Sequence, residues 1–96
     1  MTAYWVNTFR SVRDEERLAA YADLARSAML AGGGRFLARG LPAAAFEAGI
    51  MERTTIIEFP SVDAAVLTYR SPAYQEALRV LGDSAERDIR IIQAVS

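Results

Sequence analysis

Side chains of alternating polarity mark four short stretches of the chain, and apolar side chains at helical spacing fill the stretches between them. Ala3–Arg10 is rich in aromatic and β-branched residues and predicts a first strand. Ser11 stands where a helix N-cap would, followed by Asp14, Glu15 and Glu16, acids that favour the positive end of a helix dipole. Leu18, Ala22, Ala25 and Met29 then trace one apolar helical face, which Gly32-Gly33-Gly34 closes. Arg35–Gly40 predicts a second strand, and Leu41–Met51, punctuated by Pro42 and Gly49, predicts a connection. Arg53–Phe59 is the clearest strand of the chain. Pro60 stops it, and Ser61 caps a helix running to about Tyr69. Ser71-Pro72 restarts that helix, because proline lacks an N–H and is tolerated best in the first turn. Tyr74, Ala77, Leu78 and Leu81 form its buried stripe, and after Gly82 a last strand spans Asp88–Val95.

The order β-α-β-β-α-β predicts an α+β sandwich of ferredoxin-like plan. Residues 1–96 form a single domain, and two helices lie on one face of a four-stranded antiparallel sheet. Strand side chains alternate between faces. The most apolar set is Phe36 and Ala38, Ile57 and Phe59, and Ile89, Ile91 and Val95, joined by Val6; this set is expected beneath the helices. The opposite parity gives Trp5, Asn7 and Phe9, then Arg35, Leu37 and Arg39, then Thr54, Ile56 and Glu58, then Arg90 and Ile92. Exposed, that second face would be a larger apolar patch than monomers usually carry. Packed dry, it would strand charged groups without partners. Two sheets meeting face to face around a partly polar cavity resolve both difficulties, so a homodimer formed through the sheet face, a dimeric α/β barrel, is expected.

Composition narrows the chemistry. The chain has no Cys and no His, which removes thiolate nucleophiles, sulfur metal sites and the usual neutral-pH general base. All eleven basic residues are Arg, so no lysine is present to form a Schiff base. No cofactor and no metal are expected. A net charge of −1 gives no clustered positive field, so neither nucleic acid nor membrane is an expected partner. The first residues carry no basic region followed by an apolar run, and no segment is long enough to span a bilayer, so a cytoplasmic location is expected. Abundant Ala and Arg without Lys suggest a GC-rich bacterial source.

Candidate site residues follow from what remains. Gly32-Gly33-Gly34-Arg35 closes a helix where a phosphate-binding loop would open one, and reads as a C-cap. Arg39, Arg35 and Glu58 either orient an anionic or carbonyl ligand or form a cross-strand ion pair, the slightly favoured reading. Tyr69 and Tyr74 either pack amphipathically around the Ser71-Pro72 break or stand at a pocket mouth, and Trp5 beside Asn7 reads as interface before site. The ligand-binding candidates are Trp5, Asn7, Arg39, Glu58, Tyr69 and Tyr74; the catalytic candidates are Arg39, Glu58 and Tyr69.

The run Glu58-Phe59-Pro60-Ser61, followed by Tyr69-x-Ser71-Pro72-x-Tyr74-Gln75, resembles the bacterial family called domain of unknown function 1330. Tyr4-Trp5, Phe36-Leu37-Ala38-Arg39-Gly40, Arg53-Thr54-Thr55-Ile56-Ile57 and Arg87-Asp88 extend the resemblance over nearly the whole chain. It departs at Glu47-Ala48-Gly49, where a Glu-Gly pair is the pattern, and at Leu41, where a second glycine is frequent. The resemblance implies a dimeric α/β-barrel protein and no particular activity. Three readings of function follow. One is a small homodimeric domain binding a small organic molecule in a cavity on the sheet face. Another is a cofactor-free, monooxygenase- or isomerase-like enzyme, with Arg39 steadying an oxyanion and Glu58 or Tyr69 handling the proton. The third is a stress-related interaction module without catalysis.

Overall fold

The computed structural model describes all 96 residues. The strands are β1 (Ala3–Val12), β2 (Arg35–Gly40), β3 (Thr54–Phe59) and β4 (Ala85–Gln93); the helices are α1 (Glu15–Ala31), α2 (Val62–Arg70) and α3 (Pro72–Leu81). The strands form one antiparallel sheet in the order β2-β3-β1-β4. All three helices cover the same face, giving a slab of 34 × 33 × 16 Å.

The element order is β-α-β-β-α-α-β, because the expected second helix is two helices. Ser71 adopts an extended conformation (φ −64°, ψ 149°) that the following proline favours. Its hydroxyl joins both helix ends: it donates to the Thr68 carbonyl at 2.7 Å and accepts from the Tyr74 amide at 3.2 Å. The Gly32–Gly34 run is the expected helix end. The Gly33 and Gly34 amides donate to the Leu30 and Met29 carbonyls, and Gly33 takes a left-handed φ of 93°. Gly32 lies so close to Thr68 that a Cβ would collide with its hydroxyl, so only glycine lets α1 and α2 approach here.

Two element boundaries differ from expectation. Ser11 is not a cap: β1 continues to Val12, paired with Ala85, and Asp14 caps α1 by accepting from the Arg17 amide at 3.0 Å. The last strand begins at Ala85 rather than Asp88, which brings Arg87 into the sheet, and Val95 lies beyond it, fully exposed.

The faces differ more. In β1, Ala3, Trp5, Asn7 and Phe9 are all buried beneath the helices, at 6% exposure or less, and Val6 points the other way. Cross-strand partners confirm the parity: Ala3 faces Phe59, Trp5 faces Ile57 and Ile91, and Asn7 faces Thr55 and Ile89. The expected face for β1 is therefore reversed, while that for β3 holds. In β2 a bulge between Phe36 and Ala38 inserts a residue. Before it, Phe36 shares the helix side with Ile57, as expected. After it, Ala38 pairs with Ile56 on the open face and Arg39 pairs with Thr55 on the helix side, the reverse of expectation. Glu58 lies on the open face, as expected.

The core centres on Trp5. Its ring meets Tyr74 edge to face at 5.3 Å and lies 5.8 and 6.1 Å from Tyr69 and Phe59, respectively. Such pairs add stabilisation beyond the area they bury.

Candidate functional site

A cleft of about 640 Å³ opens between α1 and the β2–β3–β1 side of the sheet. Its floor is Trp5, Asn7 and Phe9 of β1, Thr55 and Ile57 of β3, and Phe36 of β2. Leu18, Tyr21, Ala22, Ala25 and Met29 of α1 form the opposite wall. Ala19, Ala22 and Ala25 are the small side chains of that α1 lining and leave space open between the larger ones. Arg39, Gly40 and Leu41 border the cleft at the end of β2. At another border Arg53 and Glu15 pair between the start of β3 and α1.

Asn7 is the outlier on this floor. It is 94% buried, and its carbonyl oxygen Oδ1 has no hydrogen-bond partner. Leaving a buried amide oxygen unpaired costs about 1–3 kcal/mol. Its cross-strand neighbour Thr55 lines the cleft beside it, so the floor carries a polar spot within an apolar surround. An amide there can accept from a hydroxyl and donate to a carbonyl. Arg39 completes the arrangement. Its guanidinium lies over the Phe36 ring at 5.2 Å, it joins none of the six salt bridges, and its side chain is exposed at the cleft edge. Apolar walls with a few convergent polar groups are the usual build of a small-molecule site.

The sequence-derived candidates therefore separate into three places. Trp5, Asn7 and Arg39 meet at the cleft. Glu58 lies on the opposite face, 3.5 Å from Arg35, so the cross-strand ion pair exists but excludes Arg39. Tyr69 lies on the other side of Trp5 and lines a second groove near β4. Tyr74 is fully buried and opens to no mouth; its hydroxyl is 2.8 Å from that of Tyr21. Arg87 donates from Nη1 to the Tyr21 oxygen at 2.7 Å and to the Tyr74 oxygen at 3.4 Å. Sequence reasoning missed Thr55, Phe36 and Arg87. For Arg87 the signal was available: an arginine alternating in register with Ile89 and Ile91 belongs to their face.

The Tyr21–Tyr74–Arg87 cluster sets a pH dependence. Burial raises the Tyr74 phenol well above its ordinary value; Tyr21 adds to the rise, and Arg87 opposes it. The unfolded phenol ionises near pH 10, about the model-peptide value. Because the folded value is the higher one, this contribution is complete below about pH 10 and is lost as pH rises beyond it. Urea unfolding at pH 8, 10 and 11.5 should show stability falling across the last two points. Tyr74→Phe should flatten that fall; parallel losses in both proteins would place its cause elsewhere.

Residues 2–95 match the family described as Domain of unknown function (DUF1330). No curated protein matches the sequence. Among solved structures, a protein of unknown function from Rhodopseudomonas palustris is similar at 21% identity and a TM-score of 0.72, covering 99% of this chain and 83% of its own. A dimeric ferredoxin-like protein of unknown function from Jannaschia sp. CCS1 reaches a TM-score of 0.76 at 12% identity, covering 98% and 100%. A variant of SnoaB, a cofactor-independent oxygenase from Streptomyces nogalater, reaches 0.68 at 16% identity, covering 99% and 94%. At these identities the likeness establishes the ferredoxin-like fold.

Proposed function

The chain belongs to the DUF1330 family, whose description names no activity, and from the cleft we propose that it is a homodimeric domain that binds a small organic molecule between α1 and the sheet. The observation that carries this reading is Asn7, whose amide oxygen is buried without a partner on the mostly apolar floor of the cleft. A ligand hydroxyl or N–H would satisfy it. Arg39 at the edge, free of any carboxylate, suits an anionic or carbonyl group on the same molecule. The site thus sits on the helix side of the sheet rather than between two sheets.

The open face supports the homodimer. Tyr4, Val6 and Ile56 lie there half-buried and Ile92 is exposed; Leu37 at the β2 bulge and Phe46, Ile50 and Met51 of the β2–β3 connection are further exposed apolar side chains. Several proteins of this fold are described as dimeric. No helix is long and apolar enough to cross a membrane.

A second reading, cofactor-free monooxygenation of an activated aromatic or enolisable substrate, draws support from the same amide and from the fold shared with SnoaB. In that reading Asn7 and Arg39 would hold the substrate's oxygens. Glu58, on the far face of the same chain, is too far round the sheet to take its proton.

The test uses 1-hydroxy-2-naphthoate, a planar aromatic carrying a hydroxyl and a carboxylate, followed through the fluorescence of the only tryptophan, Trp5. Saturable quenching is expected, and Asn7→Ala and Arg39→Ala should each weaken it about tenfold, the equivalent of one lost hydrogen bond to a charged group. Quenching that both variants leave unchanged would count against the site.

A further inference from the structure

The second groove, about 540 Å³ between α3 and β4, is lined by Leu78, Leu81, Ala85, Ile89 and Ile91, with Arg87 as its one charged side chain. Arg87 is half-buried and pairs with no carboxylate. Its partners are the two phenol oxygens, both on Nη1, and the faces of Tyr21 and Phe9, 4.8 and 5.9 Å from the guanidinium carbon. That leaves Nε–H and the Nη2 amino group without an acceptor. These two form the side-on fork of a guanidinium, the edge whose parallel N–H groups match a carboxylate. The phenols and rings hold the guanidinium plane still, so little freedom is lost when an anion meets that fork.

We propose that this groove is a second binding site, taking an amphipathic monocarboxylate whose carboxylate pairs with the free edge of Arg87 and whose apolar body lies along Ile89, Ile91 and Leu78. The pairing would supply the counter-charge that the chain itself does not provide. A neutral ligand of the same shape would leave the fork unmet, and a cationic one would be repelled. The site is independent of the Asn7 cleft: the wall of the groove is α3 and β4, and that of the cleft is α1 with β2 and β3.

Octanoate and octanol, titrated separately into the full chain and followed by the methyl resonances of Ile89, Ile91 and Leu78, test this assignment. Octanoate should shift those methyls and bind at least about tenfold more tightly than octanol, the difference a charge-assisted pair confers. Arg87→Met should erase that difference. Because that variant also removes the partner of two buried phenols, Leu78→Glu provides a separate arm: it places a carboxylate inside the groove and should abolish octanoate binding in a folded protein. Asn7→Ala should leave octanoate binding unchanged. Equal affinity for octanoate and octanol would overturn the assignment. So would octanoate shifts confined to the Leu18 and Met29 methyls of the other cleft, or shifts that track self-association and vanish when the protein is diluted to monomer.

Discussion

Replacing Trp5 by alanine should cost about 3–5 kcal/mol, the range for deleting a large aromatic from a packed core. Trp5 is 1% exposed and touches the rings of Phe59, Tyr69 and Tyr74, so the vacated space is bounded by large side chains that cannot all close on it. Domains of this size are stable by only about 5–15 kcal/mol, so the variant should sit close to its unfolding threshold. Thermal unfolding followed by circular dichroism at fixed protein concentration should show the midpoint lowered by about 12–40 °C, taking roughly 4–8 °C per kcal/mol for such domains. A loss below about 1 kcal/mol would mean that Trp5 lies on a surface and that the sheet is inverted relative to the helices.

The second large effect concerns the open face. Val6 sits near the centre of the sheet there, beside Ile56 on one side and Arg90 on the other. In the proposed homodimer that face meets its copy, and a carboxylate at position 6 would be buried at a cost of several kcal/mol. Sedimentation equilibrium at tens of micromolar should give the wild type twice the chain mass of 10.5 kDa, and Val6→Glu a value at or near one chain mass. Because Val6 does not belong to the core beneath the helices, the variant's far-ultraviolet spectrum should match the wild type. A wild-type protein sedimenting at one chain mass would remove the homodimer.

Much of this fold was legible in the sequence. The glycine run that ends α1, the Ser61 cap, the Ser71-Pro72 break and the outward turn of Glu58 all follow from local chemistry acting within a few residues, and the structure shows each of them. The face of β1 was not legible. Both of its parities mix apolar and polar groups, Trp5-Asn7-Phe9 against Tyr4-Val6-Thr8, so polarity alone does not choose between them. The buried polar member of that mixed set, Asn7, is the residue that marks the cleft. The side of Arg39 was hidden for another reason. A bulge within Phe36-Leu37-Ala38 flips every later side chain of β2, and no glycine or proline announces it. Arg87 escaped because the expected strand began one residue after it.

The site was legible in its members more than in its grouping. Trp5, Asn7 and Arg39 were all candidates, yet their convergence depends on the β1 parity and the β2 bulge together, two long-range facts that spacing does not encode. Tyr69 touches Trp5 from the side away from the cleft and lines the other groove, and Glu58 is on the opposite face of the sheet.

The central claim is that Asn7 is kept in the core for a ligand and not for the fold. The direct measurement is equilibrium urea unfolding of Asn7→Leu beside the wild type, both freed of small molecules by refolding from denaturant. An unpaired buried amide destabilises the empty protein, and the open cleft has room for leucine, so the variant should be more stable by about 1–3 kcal/mol, with an unchanged dependence on urea. Stabilisation by removing a polar group is the usual mark of a residue retained for binding at the expense of stability. A variant less stable than the wild type by that amount would show that Asn7 serves the fold, and would contradict the account.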